Sequence, residues 1–128
     1  MDEYEEALHN LTSDTLVFGP VLADQVTDKL ELGYLLSYSH RDYCGMGMAM
    51  NEKKEFLYGE IWDGAFSEPR IFPNRDLFVA WLAQQSTSSL ARLDDGDFFS
   101  GNQIISRKRL LDFIAPDYPK LDFIWYQV

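Results

Sequence analysis

The stretch Phe72-Pro73-Asn74-Arg75-Asp76-Leu77-Phe78-Val79-Ala80-Trp81-Leu82-Ala83-Gln84-Gln85 reads as the clearest helix in the chain. Asn74 can cap it by accepting from a free backbone N–H of the first turn, and Asp76 places a carboxylate at the positive end of the helix dipole. Leu77 with Trp81, and Phe78 with Leu82 and Gln85, recur at helical spacing and make an apolar stripe too broad to be left in water. Leu77, Phe78, Trp81 and Leu82 are therefore expected to be buried against a sheet. Ser86-Thr87-Ser88-Ser89 closes the helix with side chains that compete for backbone hydrogen bonds.

The sheet is read from the residues before this helix. Leu30, Leu32, Tyr34, Leu36, Tyr38 and His40 alternate with Glu31, Gly33, Leu35, Ser37 and Ser39, the period of a strand with one apolar face. After the turn Arg41-Asp42-Tyr43-Cys44, Met46, Met48 and Met50 alternate with Gly45, Gly47 and Ala49. That second strand has a large-residue face, expected to pack in the core, and a nearly bare face that lets another group approach its backbone closely. Asn51-Glu52-Lys53-Lys54 is a polar turn. Phe56, Tyr58, Glu60 and Trp62 then alternate with Leu57, Gly59 and Ile61, and Asp63-Gly64 closes this third strand. A short fourth strand is expected around Arg70-Ile71-Phe72.

Short polar connections make these strands an antiparallel meander, because parallel neighbours need long crossovers. Further out, Tyr4, Ala7, Leu8 and Leu11 share one face of a short helix, Leu16-Val17-Phe18 fits a short strand, and Val21 to Thr27 fits helix or strand equally. Leu93 to Gly101 reads as a loop. A helix is expected from Gln103 or Arg107 to Ala115, ended by Pro116, with Ile104, Leu111 and Ile114 or Ala115 near one face. Leu121 to Val128 is β-rich and can add a strand. The expected fold is α+β: an antiparallel meander of three to five strands packed against two or three helices.

With 128 residues, 46% of them hydrophobic, the chain has the size of one globular domain, expected to span residues 1–128. Its 11 Lys and Arg against 21 Asp and Glu give a net charge of -10, which repels nucleic acid and anionic membranes and attracts basic proteins. The acidity is uneven, since residues 2 to 32 carry eight acids and the single base Lys29. Cys44 is the one cysteine, so no internal disulfide forms. No apolar run approaches a membrane span, and the acidic start is unlike a signal peptide, so a cytoplasmic chain is expected.

No catalytic signature stands out. His40 and Cys44 flank a turn, but no orienting group or oxyanion loop accompanies them, which assigns them structural roles. His9, His40 and Cys44 lack zinc-ligand spacing. Asp94-Asp95-Gly96-Asp97 fails the EF-hand pattern, because the twelfth place falls on Ile105 or Ser106. Glu60 and Asp63 beside Trp62 have no spacing that supports glycoside hydrolysis, and Arg107-Lys108-Arg109 points in three directions on a helix, as a solvated face does. No cofactor and no metal are expected.

Phe78-x-x-Trp81-Leu82-x-x-Gln85-Ser86-x-x-Ser89-Leu90, after an aromatic-rich strand carrying Gly59 and Asp63-Gly64, resembles a pattern of small bacterial immunity proteins that partner polymorphic or contact-dependent toxins. The resemblance implies a cytoplasmic, acidic α+β protein that blocks a cognate toxin, and it assigns no binding residue. The expected function is thus an acidic protein-binding module for a basic partner. The alternatives are an acidic adaptor or phage-type inhibitor that mimics nucleic-acid charge, and, third, a small enzyme. The expected contact residues are Asp42 and Tyr43, the Glu60, Trp62, Asp63 region, and the Asp94, Asp95, Asp97 loop, because turns hold carboxylates where a partner reaches them.

Overall fold

In the computed structural model, residues 15–36, 45–62, 65–90 and 105–120 are described. Helix α1 (Gly19–Glu31) is followed by strands β1 (Gly45–Met50), β2 (Phe56–Trp62) and β3 (Ala65–Phe72). Helices α2 (Arg75–Ala83), the single turn α3 (Thr87–Leu90) and α4 (Arg107–Ile114) complete the order. The strands form one antiparallel sheet in the order β1-β2-β3, so the fold is α+β.

The first correction falls on the strand expected to begin at Leu30. Leu22, Ala23, Val26, Thr27 and Leu30 are all buried on one side of α1, which settles the ambiguous Val21 to Thr27 as helix and carries the helix past Leu30. Gly33, at φ 91°, ends it: its N–H donates to the Leu30 carbonyl, in the left-handed conformation that glycine adopts without a Cβ penalty. Among the described residues of the expected strand, extended pairing is seen at Leu36, which exchanges two backbone hydrogen bonds with Met48. Residues 37 to 40 of the expected strand lie outside the described residues. The Leu16-Val17-Phe18 segment contributes one bridge, from Val17 to Ser86.

The β1–β2 hairpin follows its sequence closely. Asn51 Oδ1 accepts from the N–H groups of Lys53 and Glu55 at 3.0 and 2.9 Å, so the polar turn is organised by its first side chain. Met46 and Met48 are buried and Met50 packs beside them, a core row as expected. On the bare face, a Cβ at Gly47 would stand 2.7 Å from the Leu36 carbonyl oxygen, which is the close approach that the missing side chain permits. β3 begins earlier than expected, at Ala65. Its pairing with β2 slips between Tyr58 and Glu60, where Glu68 has φ 47° and Pro69, without an N–H, stands against Gly59.

Asn74 caps α2 by accepting from the Leu77 N–H at 3.0 Å. Phe78 stacks on Phe56 at 5.1 Å and meets Phe72 edge-on at 5.3 Å, while Leu82 is fully buried. Leu77 is 51% exposed, contrary to its expected burial. It lies about 100° round the helix from Phe78, on the side shared with the exposed Asp76 and Ala80. Ser86 and Ser89 then cap each other's backbone N–H groups at 2.8 and 3.1 Å and start α3. In α4 the buried residues are Leu110 and Phe113, and Leu111 is 49% exposed, so the expected face is rotated by one residue; Ile104 lies outside the described residues.

Helix α1 packs against both α2 and α4. Leu22, Val26, Leu30, Met48, Phe56, Phe78, Leu110 and Phe113 belong to one core on that side of the sheet. Leu35, Ala49, Leu57, Ile61 and Phe66 form a second buried cluster on the other side. With an apolar cluster on each face, β1 alternates by size rather than by polarity. The Tyr4 to Leu11 helix, the Leu93 to Gly101 loop and the Leu121 to Val128 strand expected from the sequence lie outside the described residues.

Candidate functional site

Of the expected contact residues, Asp42, Tyr43, Asp63, Asp94, Asp95 and Asp97 lie outside the described residues, as do His9, His40 and Cys44. Glu60 is half-buried on β2, opposite Met46 and Ser67. Trp62 ends the strand and pairs with Ala65. The structure therefore brings Glu60 and Trp62 onto one strand, two residues apart.

Helix α1 carries a row of carboxylates that turn and strand patterns in the sequence do not mark. Asp24, Asp28 and Glu31 are spaced four and three apart, which puts them on one stripe of α1 once residues 19–31 are helical. All three reach Arg75 at the start of α2, with Asp28 at 2.8 Å and Asp24 at 3.3 Å. A cation at a helix N-terminus faces the positive end of the dipole, and the three acids offset that. Burial alone would lower the Arg75 guanidinium, but hydrogen bonds to Asp28 and Asp24 and the charge of Glu31 outweigh it and hold it above its ordinary value. On the same outer surface of α1, Val21 is 72% and Leu32 65% exposed. The spacing signal existed in the sequence, but it is visible only to a helical reading of a segment whose second half also alternates like a strand.

A second surface feature lies where β3 meets α2. Arg70 stands directly opposite Tyr58 across the sheet. Its exposed guanidinium lies over the Phe72 ring at 5.0 Å and the Trp81 ring at 5.5 Å. Trp81 in turn contacts Phe72 at 4.8 Å and Tyr58 at 5.0 Å, so the four side chains make one platform, half-buried at Trp81 and Tyr58. Among the described residues Arg70 has no carboxylate partner and the Tyr58 hydroxyl has no hydrogen bond. Burial pushes that hydroxyl well above the ordinary tyrosine range.

The remaining charged side chains near the helices join elements. Arg107 donates to the Leu16 and Val17 carbonyls at 3.0 and 2.8 Å, which corrects the reading of the Arg107-Lys108-Arg109 run as wholly solvated. Lys108 pairs with Asp112 one turn on. Lys29 donates to the Ala115 carbonyl at 2.8 Å and Lys120 to that of Leu32 at 3.0 Å, with both ammonium groups over Tyr34. Among the described residues no three His, Cys, Asp or Glu side chains are placed to hold a metal ion. No described helix is long and apolar enough to cross a membrane. No protein family, curated protein or solved structure matches the chain.

Proposed function

We propose that the chain is an acidic protein-binding module of the cytoplasm, and specifically an immunity protein that neutralises a cognate bacterial toxin by occluding its active site. The observation that supports this reading most is the outer surface of α1, where Asp24, Asp28 and Glu31 stand beside the exposed apolar Val21 and Leu32. Charge of this sign speeds encounter with a basic partner and disfavours acidic ones, while apolar side chains among the acids supply area to bury. Glu60 and Trp62, with Asp42, Tyr43, Asp63, Asp94, Asp95 and Asp97, are further contact residues in this reading.

A second reading, mimicry of nucleic-acid charge, draws on the same carboxylate row. Arg75 counts against it, since a cation held by all three acids interrupts the negative strip that a nucleic-acid binder would meet. Co-expression decides between them. A host producing a toxin domain from a gene neighbouring this chain's should survive when the chain is present and die without it, whereas finding no such toxin, or inhibition of unrelated nucleic-acid enzymes with no such protection, would favour mimicry.

A further inference from the structure

We propose that the platform of Arg70, Trp81 and Tyr58 is the anchor of the partner-binding surface and receives a carboxylate side chain of the protein partner. The inference deepens the protein-binding reading and rests on it. Arg70 is set apart by what holds it: its guanidinium rests on two aromatic rings and meets no hydrogen-bond acceptor among the described residues. Arg75 takes three acids and Arg107 takes two backbone carbonyls, whereas Arg70 has only rings beneath it among the described residues.

Stacking over Phe72 and Trp81 holds the guanidinium by its face and leaves N–H groups on its edge for an incoming group. A planar fork with free N–H donors matches a carboxylate in bidentate geometry, and because the rings already hold it, less side-chain freedom is lost on binding. The Tyr58 hydroxyl opposite is a second donor without an acceptor among the described residues. A half-buried donor left unpaired costs stability, and Tyr58 is the register partner of Arg70 on the neighbouring strand. Arg, Trp and Tyr are also the residue types in which interface energy concentrates. A second copy of this chain is a poor occupant, since two chains of -10 repel, and the same charge opposes a nucleic-acid phosphate. A carboxylate on an otherwise basic protein meets both requirements: the net charge steers the partner in and Arg70 fixes its register.

The test has two arms. In the first, the Arg70 side-chain N–H and the Trp81 indole N–H are followed by NMR while sodium acetate is added, with sodium chloride at equal ionic strength as control. Saturable shifts with acetate alone, lost in Arg70→Gln and weakened about threefold in Tyr58→Phe, are expected. Equal response to chloride, or none to either salt, overturns the proposal. In the second arm, affinity is measured for the basic toxin domain that the co-expression test identifies, and the absence of any such domain counts as failure to bind. Arg70→Ala and Arg70→Lys should each lose at least about tenfold, because Lys keeps the charge but not the fork. A wild-type chain that binds while Arg70→Ala stays within about twofold overturns the anchor and leaves the protein-binding reading standing. A wild-type chain that does not bind removes that reading and the anchor with it. Arg70 is exposed, so the variants keep the fold, and their thermal unfolding should match the wild type.

Discussion

At the scale of single residues, the packing of α2 turns on which of two adjacent apolar side chains enters the seam. Phe78 is fully buried between Phe56 and Phe72, whereas Leu77 beside it faces outward. Phe78→Ala should cost about 3–5 kcal/mol in urea unfolding and Leu77→Ala less than about 0.5 kcal/mol; similar losses at the two positions would contradict the placement. Trp81→Ala should fall between them, because that ring is half-buried. The cap at Asn74 was legible in the sequence, since its signal is one residue type at one position. The Leu77 side was not, because periodicity marks every apolar residue in a stripe wider than the face that the sheet covers. Tyr58 gives a pH test. Its folded-state value is raised, so the folded chain holds the proton where the unfolded chain releases it. The stability gained is intact below the unfolded value of about 10 and falls as pH rises above it. Tyr58→Phe should flatten the loss of stability above about pH 10; an unchanged slope would contradict the burial of the hydroxyl.

At the scale of elements, the hairpin was legible because strict alternation and a polar turn agree over β1 and β2. What the alternation could not reveal is that the small face is a contact face. Gly47 admits the Ile61 side chain and the Leu36 carbonyl, and Gly59 admits Pro69, each closer than a Cβ would allow. Gly47→Ala should therefore destabilise by about 1–3 kcal/mol through overpacking and weaken the Leu36–Met48 pairing, read as faster amide exchange at Met48. A neutral Gly47→Ala would contradict the close approach. The start of β3 was hidden for another reason: Ala65-Phe66-Ser67-Glu68-Pro69 breaks the period, and the bulge at Glu68 and Pro69, opposite Gly59, absorbs the break. Helix α1 was hidden by coincidence of periods. Leu30, Leu32, Tyr34 and Leu36 alternate across a helix end and a turn, while the helical stripe behind them uses Ala23 and Thr27, small or polar residues that carry little hydrophobic signal.

At the scale of the whole molecule, the net charge was plain from the sequence and its arrangement was not. The contact residues expected from the sequence cluster at turns and strand ends, and of these Glu60 and Trp62 fall within the described residues. The carboxylate row came from a helix interior instead, and the Arg70 platform joins a strand to a helix across sequence, a juxtaposition that no local pattern encodes. Steering by charge predicts that neutralising Asp24 and Asp28 to Asn slows association and flattens its salt dependence, with dissociation little changed. Charge reversal at Asp94, Asp95 and Asp97 should act in the same direction, read by stopped-flow mixing.

The proposed function is tested most directly by stopped-flow association of the purified chain with a basic toxin domain, sought among the products of the genes beside its own, run from low to high salt. A complex that abolishes the toxin's activity is expected, with an association rate that falls steeply as salt rises. Full toxin activity at saturating chain, or association indifferent to salt, would contradict it.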